Sequence, residues 1–107
     1  MNSFEIYIAS VVWGNDVKRR PVLVLEELEE SIIAFRITSH SESRKNGIVI
    51  RHFIINDWQY AGLDVQSYID TRETIDLPIT SIDNENMIGK LSSSDEINLV
   101  KHIERQE

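Results

Sequence analysis

At 107 residues the chain has the length of one domain, and it can bury about two thirds of its unfolded surface, enough for a core without staples. It contains no cysteine, which excludes disulfides, thiolate nucleophiles and cysteine-held zinc or iron–sulfur centres. With 18 acidic and 11 basic residues its net charge is −7, which disfavours indiscriminate binding to nucleic acid or anionic membrane.

The first two thirds of the sequence predict strands. Residues 6–13 are β-branched and aromatic, and Gly14-Asn15-Asp16 ends them with turn residues. Pro21 opens a continuous apolar run, Val22-Leu23-Val24-Leu25, that suits a buried strand. Residues 26–30 form a charged hairpin connection. Residues 31–38 alternate, with Ile33, Phe35 and Ile37 on one face and Arg36 and Thr38 on the other. Residues 39–47 are expected as a polar loop. A fourth strand is expected over 47–55, with Ile48, Ile50, His52 and Ile54 facing one way.

Residues 56–61 predict one helical turn stopped by Gly62. Short strands are expected near 63–70 and 74–80. Residues 93–105 predict a longer helix, with Ser93 and Glu96 as a capping box and Ile97, Val100 and Ile103 at helical spacing beside Leu99. This order predicts one domain over residues 1–107: a small, strongly bent sheet or barrel carrying a terminal helix. The longest aliphatic run, Val22 to Leu25, is too short to span a bilayer. The first ten residues lack a basic leader and read as structure, so a cytoplasmic location is expected.

The charge is unevenly distributed. Residues 1–56 hold seven basic and seven acidic residues, whereas residues 57–107 hold four and eleven. The basic residues of the first half cluster at Lys18-Arg19-Arg20 and Arg44-Lys45, so a polyanion has a local patch to meet on an acidic protein. The three histidines, 40, 52 and 102, show no metal-ligand spacing, and neither a metal nor a cofactor is expected.

Four segments carry a resemblance: Lys18-Arg19-Arg20-Pro21-Val22-Leu23-Val24-Leu25, Ile37-Thr38-Ser39, Ala61-Gly62-Leu63-Asp64-Val65-Gln66-Ser67, and Ile88-Gly89-Lys90-Leu91-Ser92. In this order and spacing the chain resembles the MazF/PemK family of toxin endoribonucleases. Phe4-Glu5 stands where that family usually has a glycine-aspartate pair, and the first loop is short. The resemblance implies a small SH3-like β-barrel of the MazF/PemK/CcdB type, with flanking helices and a C-terminal helix. It also implies a homodimer that cleaves single-stranded RNA without a metal and is neutralised by a cognate antitoxin. On this reading Arg20 and Thr38 are catalytic, and Lys18, Arg19, Ser39, His40, Gln66 and Ser67 contact RNA.

The residues suit that chemistry. Metal-free cleavage uses the ribose 2′-hydroxyl as nucleophile, so it needs a proton acceptor, a stabiliser of phosphoryl charge and a proton for the leaving 5′ oxygen. Arginine holds phosphate oxygens through its planar fork but gives up its own proton reluctantly, so Arg20 is expected to stabilise charge or donate a proton. The base is open among His40, His52, a carboxylate, the partner subunit and water. Trp58 and Tyr60 are expected to anchor the short helical turn, with base stacking as the other use of their rings.

Two other functions compete. One is a non-catalytic interaction module on the same barrel, an inhibitor of a protein target or an inactive paralogue, which the acidity favours. The other is a single-stranded nucleic-acid binder without chemistry.

Overall fold

The structure is a computed structural model describing residues 1–13 and 15–106, with only the backbone described for Trp13 and residues 83–86. Among the described residues the chain is mainly β, with one C-terminal helix. The strands are β1 (Glu5–Trp13), β2 (Asp16–Glu27), β3 (Ser31–Thr38), β4 (Glu42–Lys45), β5 (Ile48–Arg51), β6 (Phe53–Ile54), β7 (Tyr68–Pro78) and β8 (Ile82–Lys90). A 3-10 turn over Ile79–Ser81 joins β7 to β8, and α1 spans Ser93–Gln106.

Six strands form one antiparallel sheet in the order β6-β7-β3-β2-β1-β8, curled into a half-barrel. Register shifts mark its bends, at Val24/Glu26 between β2 and β3, at Ala34/Arg36 between β3 and β7, and beside Tyr7 between β1 and β8. Both faces of the sheet are apolar. Ile6, Leu23, Phe35, Ile37 and Ile69 lie in a core with Leu99 of α1 and Ala61. Val22, Val24, Ala34, Leu77 and Ile82 form a second core. The unbroken run Val22-Leu23-Val24 therefore has an apolar partner for every side chain, and all three are fully buried.

Several elements differ from expectation. β2 begins at Asp16, because it pairs with β1 out to the Trp13–Asp16 pair. The expected turn before it includes Gly14, which lies outside the described residues. The expected polar loop contains β4, which pairs with β5 as a separate two-stranded ribbon. Asn46 (φ 53°) and Gly47 (φ 78°) form its two-residue tip, and two successive positive φ angles match the twist of such hairpins.

The single strand expected over 47–55 breaks at His52, where the chain leaves the ribbon and enters the main sheet. In consequence Ile48 and Ile54 are exposed and His52 is buried. The two short strands expected after residue 63 are one long strand, β7, and β8 was not anticipated.

Residues 56–63 form turns closed by Leu63 N–H to Trp58 O (3.0 Å) and Gly62 N–H to Gln59 O (3.1 Å), with Gly62 at φ 88°. This crossed pair of bonds ends one helical turn in the way a glycine permits. Trp58 packs against the first core and Tyr60 is exposed.

The helix cap sits one residue earlier than expected. Asp95 N–H donates to Ser92 Oγ (3.1 Å), making Ser92 the capping residue. Leu99 is buried beneath α1 and Ile103 packs on the core, whereas Ile97 and Val100 are exposed.

Candidate functional site

The site lies where β2 and β3 separate. Val22 is paired with Arg36, and no pair follows toward the N-terminal end of β2. Pro21 is the next residue in that direction and has no N–H to offer a ladder. Carried two residues further, the same register sets Arg20 opposite Thr38. Both residues line a cleft of about 410 Å³.

Alternation separates the three consecutive cations. Lys18 and Arg20 sit opposite Val11 and Ala9 on β1 and share one face of β2, whereas Arg19, opposite Ser10, takes the other. Lys18, Arg20, Thr38, Ser39 and His40 together line a second hollow of about 250 Å³ that shares Arg20, Thr38 and Ser39 with the first. Arg19 lines neither of the two.

The larger cleft is apolar at its walls, with Ile8, Pro21, Ile37, Leu63, Val65 and Ile88, and polar at Arg20, Thr38, Ser39, Asp64 and Ser67. An apolar slot beside a cationic lip can take a flat ring in the slot and an anion at the lip. Two glycine contacts build its far wall. A Cβ on Gly62 would overlap the backbone of Ile88, and one on Gly89 would overlap that of Ala61, so the 61–63 turn lies directly on β8.

Thr38 is oriented by its own loop. His40 N–H donates to Thr38 Oγ1 (3.1 Å), which occupies a lone pair and leaves the hydroxyl proton to be donated elsewhere. Ser67 is buried, and its hydroxyl donates to Val65 O (2.9 Å). Gln66 does not line the cleft. Its amide donates to Ile55 O (2.8 Å) and Ser67 O (3.2 Å), holding the strand entry in place.

Of the eight residues singled out from sequence, six therefore meet at these two hollows, while Arg19 and Gln66 do not line them. Asp64, Leu63 and Val65 were not singled out, although they belong to the segment around Gln66. His52, one of the candidate bases, lines neither hollow and is buried, with its side chain 1% exposed. Among the described residues no group of three or more histidines and carboxylates is placed to hold a metal ion. No helix among the described residues is long and apolar enough to cross a membrane.

No protein family matches this chain in a family scan, and no curated protein matches it.

Proposed function

We propose that the chain is an endoribonuclease of the MazF/PemK type, the toxin half of a toxin–antitoxin pair, cutting single-stranded RNA without a metal. The observation that carries this reading is the meeting of Arg20 and Thr38, from two different strands, in one cleft beside Lys18 and His40. A base adjoining the scissile phosphate enters the apolar slot between Leu63, Val65 and Ile88. The phosphate sits at the lip, where the Arg20 fork and the Thr38 hydroxyl meet the charge that grows on its oxygens.

His40 is the histidine at the lip and takes the 2′-hydroxyl proton. The O2′–P bond forms, the P–O5′ bond breaks, and the 5′ oxygen takes a proton from water, giving a 2′,3′-cyclic phosphate and a 5′-hydroxyl end. Arg20 serves the charge and not the base, because a guanidinium keeps its proton. A homodimer and an antitoxin that covers this cleft belong to the same reading.

Incubation with a long unstructured RNA in EDTA tests it. Discrete cuts with 5′-hydroxyl ends are expected, lost in Arg20→Ala while the melting curve is unchanged. Equal cutting by the variant would remove Arg20 from the chemistry. A folded protein that cuts none of several RNAs would overturn the reading.

A further inference from the structure

A second constellation lies outside the cleft, at the root of the β4–β5 ribbon. Ser43 Oγ and His52 Nε2 are 2.7 Å apart. His52 Nδ1 lies 3.7 Å from Asp70 Oδ1, beyond hydrogen-bond distance, and has no hydrogen-bond partner among the described residues, although the ring is buried. Asp70, 7% exposed, is clamped by Arg72, whose backbone N–H (3.1 Å), Nε (2.9 Å) and Nη2 (2.6 Å) all donate to its carboxylate.

The nearby carboxylate charge favours the tautomer with the proton on Nδ1, because a lone pair there would face a negative oxygen 3.7 Å away. Nε2 then presents its lone pair and accepts from the Ser43 hydroxyl. Hydroxyl, imidazole and carboxylate stand in the order that makes a serine nucleophilic, the hydroxyl in hydrogen-bond contact with the ring and the carboxylate acting on it through its charge.

We propose that Ser43 is a histidine-activated nucleophile that accepts acyl groups from esters with an apolar acyl chain. Cross-strand pairing puts Ser43 and Ile50 on one face of the ribbon, with Lys45 and Ile48 further along it. Ile48 is 63% exposed, so this face reaches solvent at the tip. It offers an apolar strip for the acyl chain. In the first step Ser43 Oγ bonds to the ester carbonyl carbon, its proton passes to His52 Nε2, and the alcohol leaves with that proton. Water then repeats the sequence on the acyl-serine, releasing the acid and restoring the hydroxyl.

Burial holds the His52 pKa below its ordinary value, helped by Arg72 and His40 and opposed by Asp70, so the ring is neutral and able to accept a proton at pH 7. These groups, with the Ser43 hydroxyl, are the polar surroundings that act on the ring.

An alkyl fluorophosphonate, which forms an Oγ–P bond with loss of fluoride, tests this on the full chain. Labelling of the intact protein at Ser43 is expected, absent in Ser43→Ala and slowed at least about 100-fold in His52→Gln. It is expected to persist in Arg20→Ala, which separates this site from the RNA cleft. Should His52→Gln not fold, the pH profile of the unaltered protein decides. A labelling rate that levels off by neutral pH supports the base. A rate that climbs steadily into the alkaline range, as for an ordinary hydroxyl, overturns it, and so does a folded protein that takes up no label at Ser43.

Discussion

The backbone N–H of His40 donates to Thr38 Oγ1 across one turn of the 38–40 loop, at 3.1 Å. A hydroxyl that accepts from its own loop has its proton free for a ligand, and that ligand is the phosphate of the proposed reaction. Thr38→Val keeps the shape and removes the donor. Its RNA cleavage is expected to fall about 100-fold, the scale on which removal of one preorganised donor is felt. Thr38→Ser is expected to keep most of the activity. Thr38 is not deeply buried, so the melting temperature of both variants should stay near that of the parent. Initial rates on a single defined RNA measure the difference, and equal rates for the valine variant would take Thr38 out of the mechanism.

Acid acts on the fold through two groups on the other side of β3. Burial pushes the Asp70 carboxyl up, but its hydrogen bonds from Arg72 outweigh burial and hold it below the ordinary carboxylate range. His52 is likewise lowered, by burial first. A group whose pKa is lower in the folded protein favours folding above its unfolded value and loses that contribution as pH falls through the folded one. The two shifts therefore have the same sign. The His52 share is expected to fade as pH drops below 6.5, and the Asp70 share below 3.8. Melting curves from pH 7 to 3 should show both stages, and His52→Gln should flatten the upper one.

Strand β3 was legible in the sequence at both ends, because its alternation and flanking turn residues agree. The Arg20–Thr38 meeting followed from a motif, but the reason that Lys18 and Arg20 share the smaller hollow while Arg19 does not is the β1–β2 register, which no local pattern states. The ribbon was missed although Asn46-Gly47 is a hairpin signal, because the polar flank Ser41-Glu42-Ser43 hid its alternation. Ile97 and Val100 fit a helical period, yet α1 docks on Asp95 and Leu99. The direction in which a helix is pressed onto its sheet is set by tertiary contacts that periodicity alone does not fix. The Ser43–His52–Asp70 contacts join three separate strands or strand edges and had no sequence signal.

The wall of the cleft depends on two glycines. An alanine at Gly89 would drive its Cβ into the carbonyl of Ala61, and one at Gly62 would drive it into the carbonyl of Ile88 at a positive φ of 88°. Backbone on both sides has no flexible end to move. Each substitution is expected to destabilise by about 1–3 kcal/mol and to disturb Leu63 and Ile88 at the cleft. Gly47, with nothing near its Cβ position, carries only the conformational cost of φ 78°, about 1–2 kcal/mol for a residue with a side chain. Thermal melts of the three alanine variants check the stability effect. RNA cleavage should suffer in the first two and not in Gly47→Ala.

Asp95 joins the helix to the turn that carries the cleft wall. It is fully buried, and its two carboxylate oxygens accept from Asn56 N–H (3.2 Å) and Asp57 N–H (2.8 Å). Asp95→Ala removes the acceptor of both N–H groups and empties a fully buried position, at a cost of about 1–3 kcal/mol. Asp95→Asn keeps the size but turns an NH2 toward one of the two donors, so it too should destabilise. The cap contributes separately. Ser92→Ala removes the acceptor for Asp95 N–H and should cost about 1 kcal/mol, whereas Ser93→Ala should be close to neutral because no cap bond passes through it. In a domain of this size each kcal/mol moves the melting temperature by about 4–8 °C, so the order Asp95→Ala, Ser92→Ala, Ser93→Ala is readable from melting curves alone. A Ser93 variant that melts below the Ser92 variant would place the cap one residue later.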